Sequence, residues 1–234
     1  MSVSIVFVGE GITEYGRGPS ELAFEKERIE HDGFLQTILK KAQKEQFNGE
    51  RPFETKERIQ WKNIPRHSGG KNKRNCPAGD KLAAAVAKAQ FLEADAIIFI
   101  VDDHYEDFTD LLLKDLADLR KECSDIAITA GTAIRMIEAA LLADKDAVTA
   151  AFNGLKISRS KDPEKVADPK KEFLKAYETY QESSKDSCVK KTPWQEARRR
   201  IFEHLSLKVL KKRCPKGLSR FIKELDDVLK LFED

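Results

Sequence analysis

Four acidic side chains follow two strongly apolar stretches of this 234-residue sequence, residues 3–8 and 96–101. Such runs, rich in Val and Ile, predict strands that are buried on both faces of a parallel sheet. The carboxyl ends of parallel strands form the ligand-binding edge of an open α/β sheet. Carboxylates from both strands would form the oxygen-rich site that Mg²⁺ or Mn²⁺ prefers. The predicted metal-binding acids are Glu10 and Glu14 after the first run and Asp102 and Asp103 after the second.

Each of these acids also has a simpler explanation. Glu10 would face solvent, and Glu14 would begin a helix, where a negative charge favours the helix dipole. Asp102 and Asp103 would belong to a solvated acidic loop. Phosphoacceptor receiver domains also have an acidic pair after a strand, but there it follows the first strand. They also need an acceptor aspartate on the following strand, which residues 126–129 do not contain.

A third pair of acids lies in a sequence rich in alanine and leucine. Glu138 is surrounded by apolar residues, and Asp144 ends the run 137–144. A carboxylate in such a place either pairs with a cation or points away from the apolar face of a helix. Both interpretations stay open on spacing alone.

Basic residues are concentrated in two regions, 62–74 and 190–220. Such clusters are typical of contact with a nucleic-acid backbone, although they also form ordinary solvated helix faces. The candidate nucleic-acid-binding residues are Arg66, Lys71, Lys73, Arg74, Arg198, Arg199, Lys211 and Lys212.

The composition narrows the class of protein. A charged fraction of 35% with 41% hydrophobic residues is typical of a soluble globular protein. No apolar run approaches the roughly 18 residues that predict a membrane span. The four cysteines are far apart and have no CxxC spacing, which favours reduced thiols and a cytoplasmic location. No nucleophile elbow or HExxH motif is present, so the enzyme options narrow to metal-assisted chemistry on carboxylates.

The order of predicted elements indicates an α/β fold with a mostly parallel sheet flanked by helices. We predict strands at 3–8, 96–101 and 126–129, an ambiguous strand within 53–65, and helices at 20–42, 81–93, 108–121 and 134–142. Charged, helix-rich sequence follows. The expected organisation is a core at 1–150 and a basic helical extension at 151–234 that packs against it. Leucines and phenylalanines of the extension would suit either that core or an interface of a homo-oligomer.

Several short motifs together resemble one family. The chain is similar to TOPRIM-like proteins, and most of all to short members related to the overcoming-lysogenisation-defect (OLD) nucleases. The matching stretches are FVGEGITE at 7–14, IVDD at 100–103, IEAALLAD at 137–144, the Pro-Glu at 163–164, DPKK at 168–171 and the Cys-Pro turn at 214–221.

The resemblance implies a Rossmann-like TOPRIM core that hydrolyses phosphodiester bonds in DNA or RNA with Mg²⁺ or Mn²⁺. Glu10 would be a metal ligand or general acid/base, and Asp102 would bind metal with help from Asp103. Glu138 would complete the catalytic set, with Asp144 as a further ligand. TOPRIM domains carry Asp-x-Asp, whereas here Asp103 follows Asp102 directly, so a site with a single cation and an inactive site both stay open as alternatives to two-metal catalysis.

The resemblance also implies a role in antiphage defence beside an ATPase partner. The rival hypothesis is a non-catalytic subunit that binds nucleic acid or a partner and keeps a degenerate acidic site. The two differ in geometry, because a nuclease needs the carboxylates of Glu10, Asp102 and Glu138 within about 4–6 Å of one point.

Overall fold

The structure, a computed structural model, describes residues 2–10, 32–49, 52–65, 74–103, 108–135, 137–157 and 160–232. In this part of the chain four parallel strands form one sheet in the order β2-β1-β3-β4. The strands are β1 (Val3–Gly9), β2 (Phe53–Gln60), β3 (Ala96–Asp103) and β4 (Ala127–Ile134). Helices flank the sheet, so the predicted α/β fold with a parallel sheet is confirmed.

The helices connect the strands and then make up most of the chain after β4. They are α1 (Phe34–Phe47), α2 (Pro77–Phe91), α3 (Phe108–Glu122), α4 (Glu138–Ala143), α5 (Lys145–Ala151), α6 (Pro169–Ser183), α7 (Ser187–Lys191), α8 (Trp194–His204), α9 (Leu207–Arg213) and α10 (Leu218–Leu229). None of the helices in the described ranges is long and apolar enough to cross a membrane.

Successive side chains of each strand point to opposite faces of the sheet and pack into two apolar cores, one on each face. Ile5 and Phe7 of β1 lie in the first core, whereas Val6 and Val8 lie in the second. Helices α2 and α3 cover the second core. The first core contains side chains from α1 and α4 and also from α6, α8, α9 and α10. Residues on both sides of position 150 therefore contribute to one core.

Strand β4 is held by α3 and by the last helix, α10. Arg120 of α3 donates from Nε (2.9 Å) and Nη2 (2.6 Å) to the Ile128 carbonyl oxygen and pairs through Nη1 with Glu224 of α10 at 2.7 Å. A Cβ built on Gly131 would lie 2.7 Å from the Cβ of Phe221 in α10. The glycine therefore allows α10 to lie directly against this face of the strand.

Several predicted boundaries are corrected by the structure. The ambiguous segment 53–65 contains β2 and a 3₁₀ turn, Trp61–Asn63. The strand predicted at 126–129 continues to Ile134, and the helix predicted from 134 begins at Glu138. Helix α2 begins at Pro77 instead of Lys81, since the Cys76 sulfur accepts a hydrogen bond from the Gly79 amide and proline suits a first turn. Of the helix predicted at 20–42, residues 20–31 lie outside the described ranges.

Candidate active site

The sheet order places the ends of β1 and β3 at the point where the chain reverses its direction of winding. From β1 the chain goes to β2 on one side and then to β3 on the other, so β1 and β3 are neighbours. Val8 pairs with Phe99 across these strands. Open α/β sheets bind ligands in the crevice outside such a switch point. Glu10 follows β1 and Asp102 lies at the end of β3, so both are at this edge.

Asp102 is half-buried and is tied to the turn that follows β4. Its Oδ1 atom accepts a hydrogen bond from the Ile137 amide at 3.1 Å. This hydrogen bond orients the carboxylate at the carboxyl edge of the sheet. The backbone pairing of Asp102 with Ala133 holds the same region of β3 and β4 in register.

Glu10 is exposed, and its main chain is held at the edge of the sheet. The Gln60 side chain donates from Nε2 to the Glu10 carbonyl oxygen at 2.9 Å, which connects the ends of β1 and β2. No hydrogen bond joins the Glu10 carboxylate to any residue within the described ranges. This acid is therefore available for a ligand from solvent.

Two of the predicted metal ligands cannot be placed in this way. Glu14 lies outside the described residues, and for Asp103 the description covers the backbone, which ends β3. The basic residues Arg66, Lys71 and Lys73 also lie outside the described ranges.

Glu138 lies in a buried ion pair with Arg198. The Glu138 Oε1 atom accepts a hydrogen bond from Nη1 of Arg198, and their side chains are only 4% and 10% exposed. The guanidinium also lies over the Trp194 ring at 4.7 Å from its centroid. The sequence left open whether Glu138 pairs with a cation or points away from the apolar face of its helix. In the structure it pairs with a cation, the Arg198 side chain of α8. Arg198 is a core residue rather than part of a surface for nucleic acid.

Asp144 acts as a buried helix cap. Its Oδ1 accepts from the Ala147 amide of α5 at 3.1 Å, and its Oδ2 accepts from the Ser206 amide at 2.8 Å. The side chain thereby connects the start of α5 to the start of α9. Both carboxylate oxygens serve the fold, which differs from the predicted role as a metal ligand.

Asp115 occupies the N-terminus of α2, another place where a phosphate group could bind. This buried carboxylate accepts hydrogen bonds from the Asn75 amide at 2.8 Å and the Cys76 amide at 3.2 Å. A Cβ on Gly79 would lie 1.9 Å from Asp115 Oδ2. An acid of the protein itself therefore satisfies this helix end.

Most of the described basic candidates are paired with acids. Arg74 makes two hydrogen bonds to Glu122 at 3.1 and 2.6 Å, and these lower the pKa of the Glu122 carboxyl. Lys211 pairs with Asp226 at 2.8 Å. Lys212 is exposed.

Arg199 is paired with two acids of its own helix. It contacts Glu203 and makes two hydrogen bonds of 2.9 Å to Glu196. These bonds, with those from Arg200, lower the pKa of Glu196 to about 2. Much of the positive charge of α8 is therefore compensated within the helix.

Within the described ranges, no group of three or more His, Cys, Asp or Glu side chains is placed to hold a metal ion. The acids that the structure places at the carboxyl edge as candidate ligands are thus Glu10 and Asp102. Glu10, Asp102 and Glu138 were predicted to form one site. Because Glu138 pairs with Arg198, only Glu10 and Asp102 of this set remain candidate ligands.

Arg135 is a residue at this edge that the sequence interpretation missed. It follows β4 directly, is half-buried, and has a φ of 67°, in the left-handed region. The signal was available in the sequence: a charged residue ends the apolar segment 126–134, as Asp102 ends 96–101. It was missed because the strand was predicted to stop at residue 129.

Comparisons with protein-family models, with curated proteins and with solved structures give no match.

Proposed function

We propose that this chain is a metal-dependent nuclease of the TOPRIM type that hydrolyses phosphodiester bonds in DNA or RNA. The observation that carries the proposal is the position of Glu10 and Asp102 at the crevice where the strand order reverses. Parallel sheets bind ligands there, and carboxylates are the ligands that hard divalent cations prefer.

The two acids fit a Mg²⁺ or Mn²⁺ ion. Mg²⁺ keeps several of its waters and is commonly bound by one or two carboxylates together with substrate phosphates. Asp102 is oriented by the Ile137 amide, and Glu10 is exposed on a main chain that Gln60 holds. When bound, the cation would supply stabilisation of the charge that develops on the phosphate oxygens.

The roles proposed for the side chains follow from their surroundings. Asp102 positions the cation, because its carboxylate is fixed by a backbone hydrogen bond. Glu10 shares the cation or accepts the proton of the attacking water, since its carboxylate faces solvent. Asp103 and Glu14 remain proposed helpers from the resemblance. Glu138 and Asp144 are removed from the proposed site, because the ion pair and the helix cap account for them.

A second candidate function is a non-catalytic subunit that binds nucleic acid or a partner. The observation that favours it is the engagement of Glu138 and Asp144 in the fold, which leaves fewer acids for catalysis. The basic segment 62–74 would then carry the binding. A place in an antiphage system with an ATPase partner is proposed from the motif resemblance alone.

Cleavage assays test the proposal directly. Labelled plasmid DNA and total tRNA are incubated with Mg²⁺ or Mn²⁺, with and without a neighbouring ATPase, using wild-type protein, Glu10→Gln and Asp102→Asn. Both substitutions keep the shape of the side chain. We expect each to slow cleavage by about 100-fold or more, the size typical for loss of an acid–base or charge-stabilising group.

The matched control is Glu54→Gln, which removes an exposed acid of β2 away from the switch point. We expect this variant to cut at the wild-type rate. Cleavage that persists in Glu10→Gln and Asp102→Asn would contradict the proposed site. If the wild type cuts neither substrate but binds them in a salt-sensitive way, the binding subunit is the correct function.

A further inference from the structure

Arg135 adopts a backbone conformation that costs energy for any residue with a side chain. Its φ of 67° lies in the left-handed region, which glycine adopts freely and an arginine does not. Residues held in such conformations are concentrated at functional sites, where the surrounding structure pays for the strain. The conformation of Arg135 therefore indicates a functional role for this residue.

The position of Arg135 connects it to the proposed metal site. Ile134, the last residue of β4, pairs with Asp103 of β3, so Arg135 emerges at the carboxyl edge beside the acids. Two residues later, the Ile137 amide donates to Asp102 Oδ1 at 3.1 Å. The turn that carries Arg135 is thus fixed to the carboxylate that is proposed to position the cation.

The charge of Arg135 has no counterpart in the described part of the chain. No hydrogen bond or ion pair there involves its guanidinium, although the side chain is half-buried. By contrast, Arg74, Arg120 and Arg198 each pair with an acid. A partly desolvated guanidinium gains strongly from an anion, and its planar donors match two oxygens of a phosphate.

We propose that Arg135 binds a backbone phosphate of a polynucleotide at the carboxyl edge of the sheet. This inference rests on the proposed function, because it assigns the substrate of the same site. The strained turn begins at the carboxyl edge of the sheet, where Glu10 and Asp102 also lie. A phosphate bound there would be positioned for the cation-assisted reaction.

Binding measured without metal separates this role from catalysis. A short fluorescein-labelled DNA strand and its RNA counterpart are titrated by fluorescence anisotropy in EDTA over a range of salt concentrations. We expect Arg135→Gly to bind about tenfold more weakly, as for the loss of one charged hydrogen-bonded contact. Its plot of log affinity against log salt should be shallower by about 0.7, the value for one phosphate of a single strand. Arg135→Lys, which keeps the charge without the planar donors, should bind with intermediate affinity.

Thermal stability distinguishes a binding role from a structural one. Glycine tolerates the left-handed conformation, so Arg135→Gly should have a Tm equal to or above that of the wild type. The control is Glu93→Gly, which relieves the same strain at φ 53° in the turn before β3, at the opposite edge of the sheet. Glu93→Gly should show no loss of strand affinity.

The outcomes separate this inference from the nuclease proposal. Unchanged affinity and salt dependence in Arg135→Gly, or a lower Tm, would overturn the phosphate site. Strand binding that depends on Arg135, in a protein that never cleaves, would support the phosphate site and refute the nuclease. Glu54→Gln, which removes an exposed acid of β2 away from the switch point, should bind the strand in EDTA like the wild type.

Discussion

Arg198 was predicted to bind nucleic acid at the surface, but it lies in the core. Its guanidinium donates to Glu138 and stacks on Trp194, and both charged side chains are almost fully buried. Bringing two charges out of water is costly, and the cost is recovered only while both partners are present. The pair joins α4, next to the proposed active site, to α8.

Removal of either charge should therefore destabilise the protein strongly. We expect Glu138→Gln and Arg198→Met each to lower the free energy of unfolding by about 3–5 kcal/mol, since each leaves a buried group without its partner. The double variant should lose clearly less free energy of unfolding than the two single variants lose together. Urea unfolding of the four proteins measures the coupling.

Glu203→Gln is the control for this cycle, because Glu203 pairs with Arg199 at an exposed position. We expect Glu203→Gln to lower the free energy of unfolding by at most about 1 kcal/mol. If Glu138→Gln keeps wild-type stability but abolishes metal-dependent cleavage, the ion pair is not the main role of Glu138, and the original catalytic prediction is correct.

At the scale of elements, the contact between α10 and β4 depends on a glycine. A methyl group at position 131 would lie 2.7 Å from the Cβ and 3.1 Å from the Cα of Phe221. The helix would have to move away from the strand. Overpacking of this kind typically costs about 1–3 kcal/mol.

We accordingly expect Gly131→Ala to lower the free energy of unfolding by about 1–3 kcal/mol, measured in urea. Gly49→Ala is the matched control, because a Cβ there has nothing within 4 Å. It should be neutral or slightly stabilising, since alanine reduces the freedom of the unfolded chain. Equal stability of the two variants would show that α10 does not press on the strand.

The sequence predicted the central elements better than the peripheral ones, for physical reasons. Strands β1 and β3 are buried on both faces, so their continuous apolar runs were recognisable and their chain direction placed Glu10 and Asp102 at one edge. Within the described ranges strand β2 has a single neighbour, and it alternates half-buried with exposed residues over its first half, which weakened its signal. The end of β4 was missed because the small residues around Gly131 give little apolar signal, although they suit a strand under a helix.

Long-range pairing was beyond local patterns. Nothing near Glu138 in the sequence indicates that its partner is Arg198. Nothing near Asp144 indicates that its carboxylate accepts a hydrogen bond from the Ser206 amide. Their spacing fitted a metal site equally well. Such residues are assigned only when the helices of the second half of the chain are placed on the sheet.

At the scale of the whole molecule, the first core is built from both halves of the chain. Phe34 of α1 contacts Phe202 of α8 edge to face, with ring centroids 5.2 Å apart. Leu218 and Phe221 of α10 lie in the same core as Ile5 and Phe7 of β1. Without the second half, one face of the sheet would lose most of its cover.

A fragment of residues 1–150 should therefore not fold by itself. We expect it to aggregate, or to unfold without a cooperative transition, because a large apolar face is exposed. Light scattering and thermal unfolding of the fragment, beside the 234-residue chain, measure this. A monomeric fragment with a sharp transition would establish 1–150 as an independent domain.

The position of β1 between β2 and β3 has a consequence for synthesis. A ribosome that adds about 5–20 residues per second needs roughly 5–20 seconds to go from β1 to the end of β3. Until then this uncharged, β-branched strand has no second neighbour, and helices α8 to α10, which complete the cover of one of its faces, emerge later still. Nascent chains of this protein should thus be substrates for chaperones that bind short apolar segments, with residues 3–8 as the segment that is bound first.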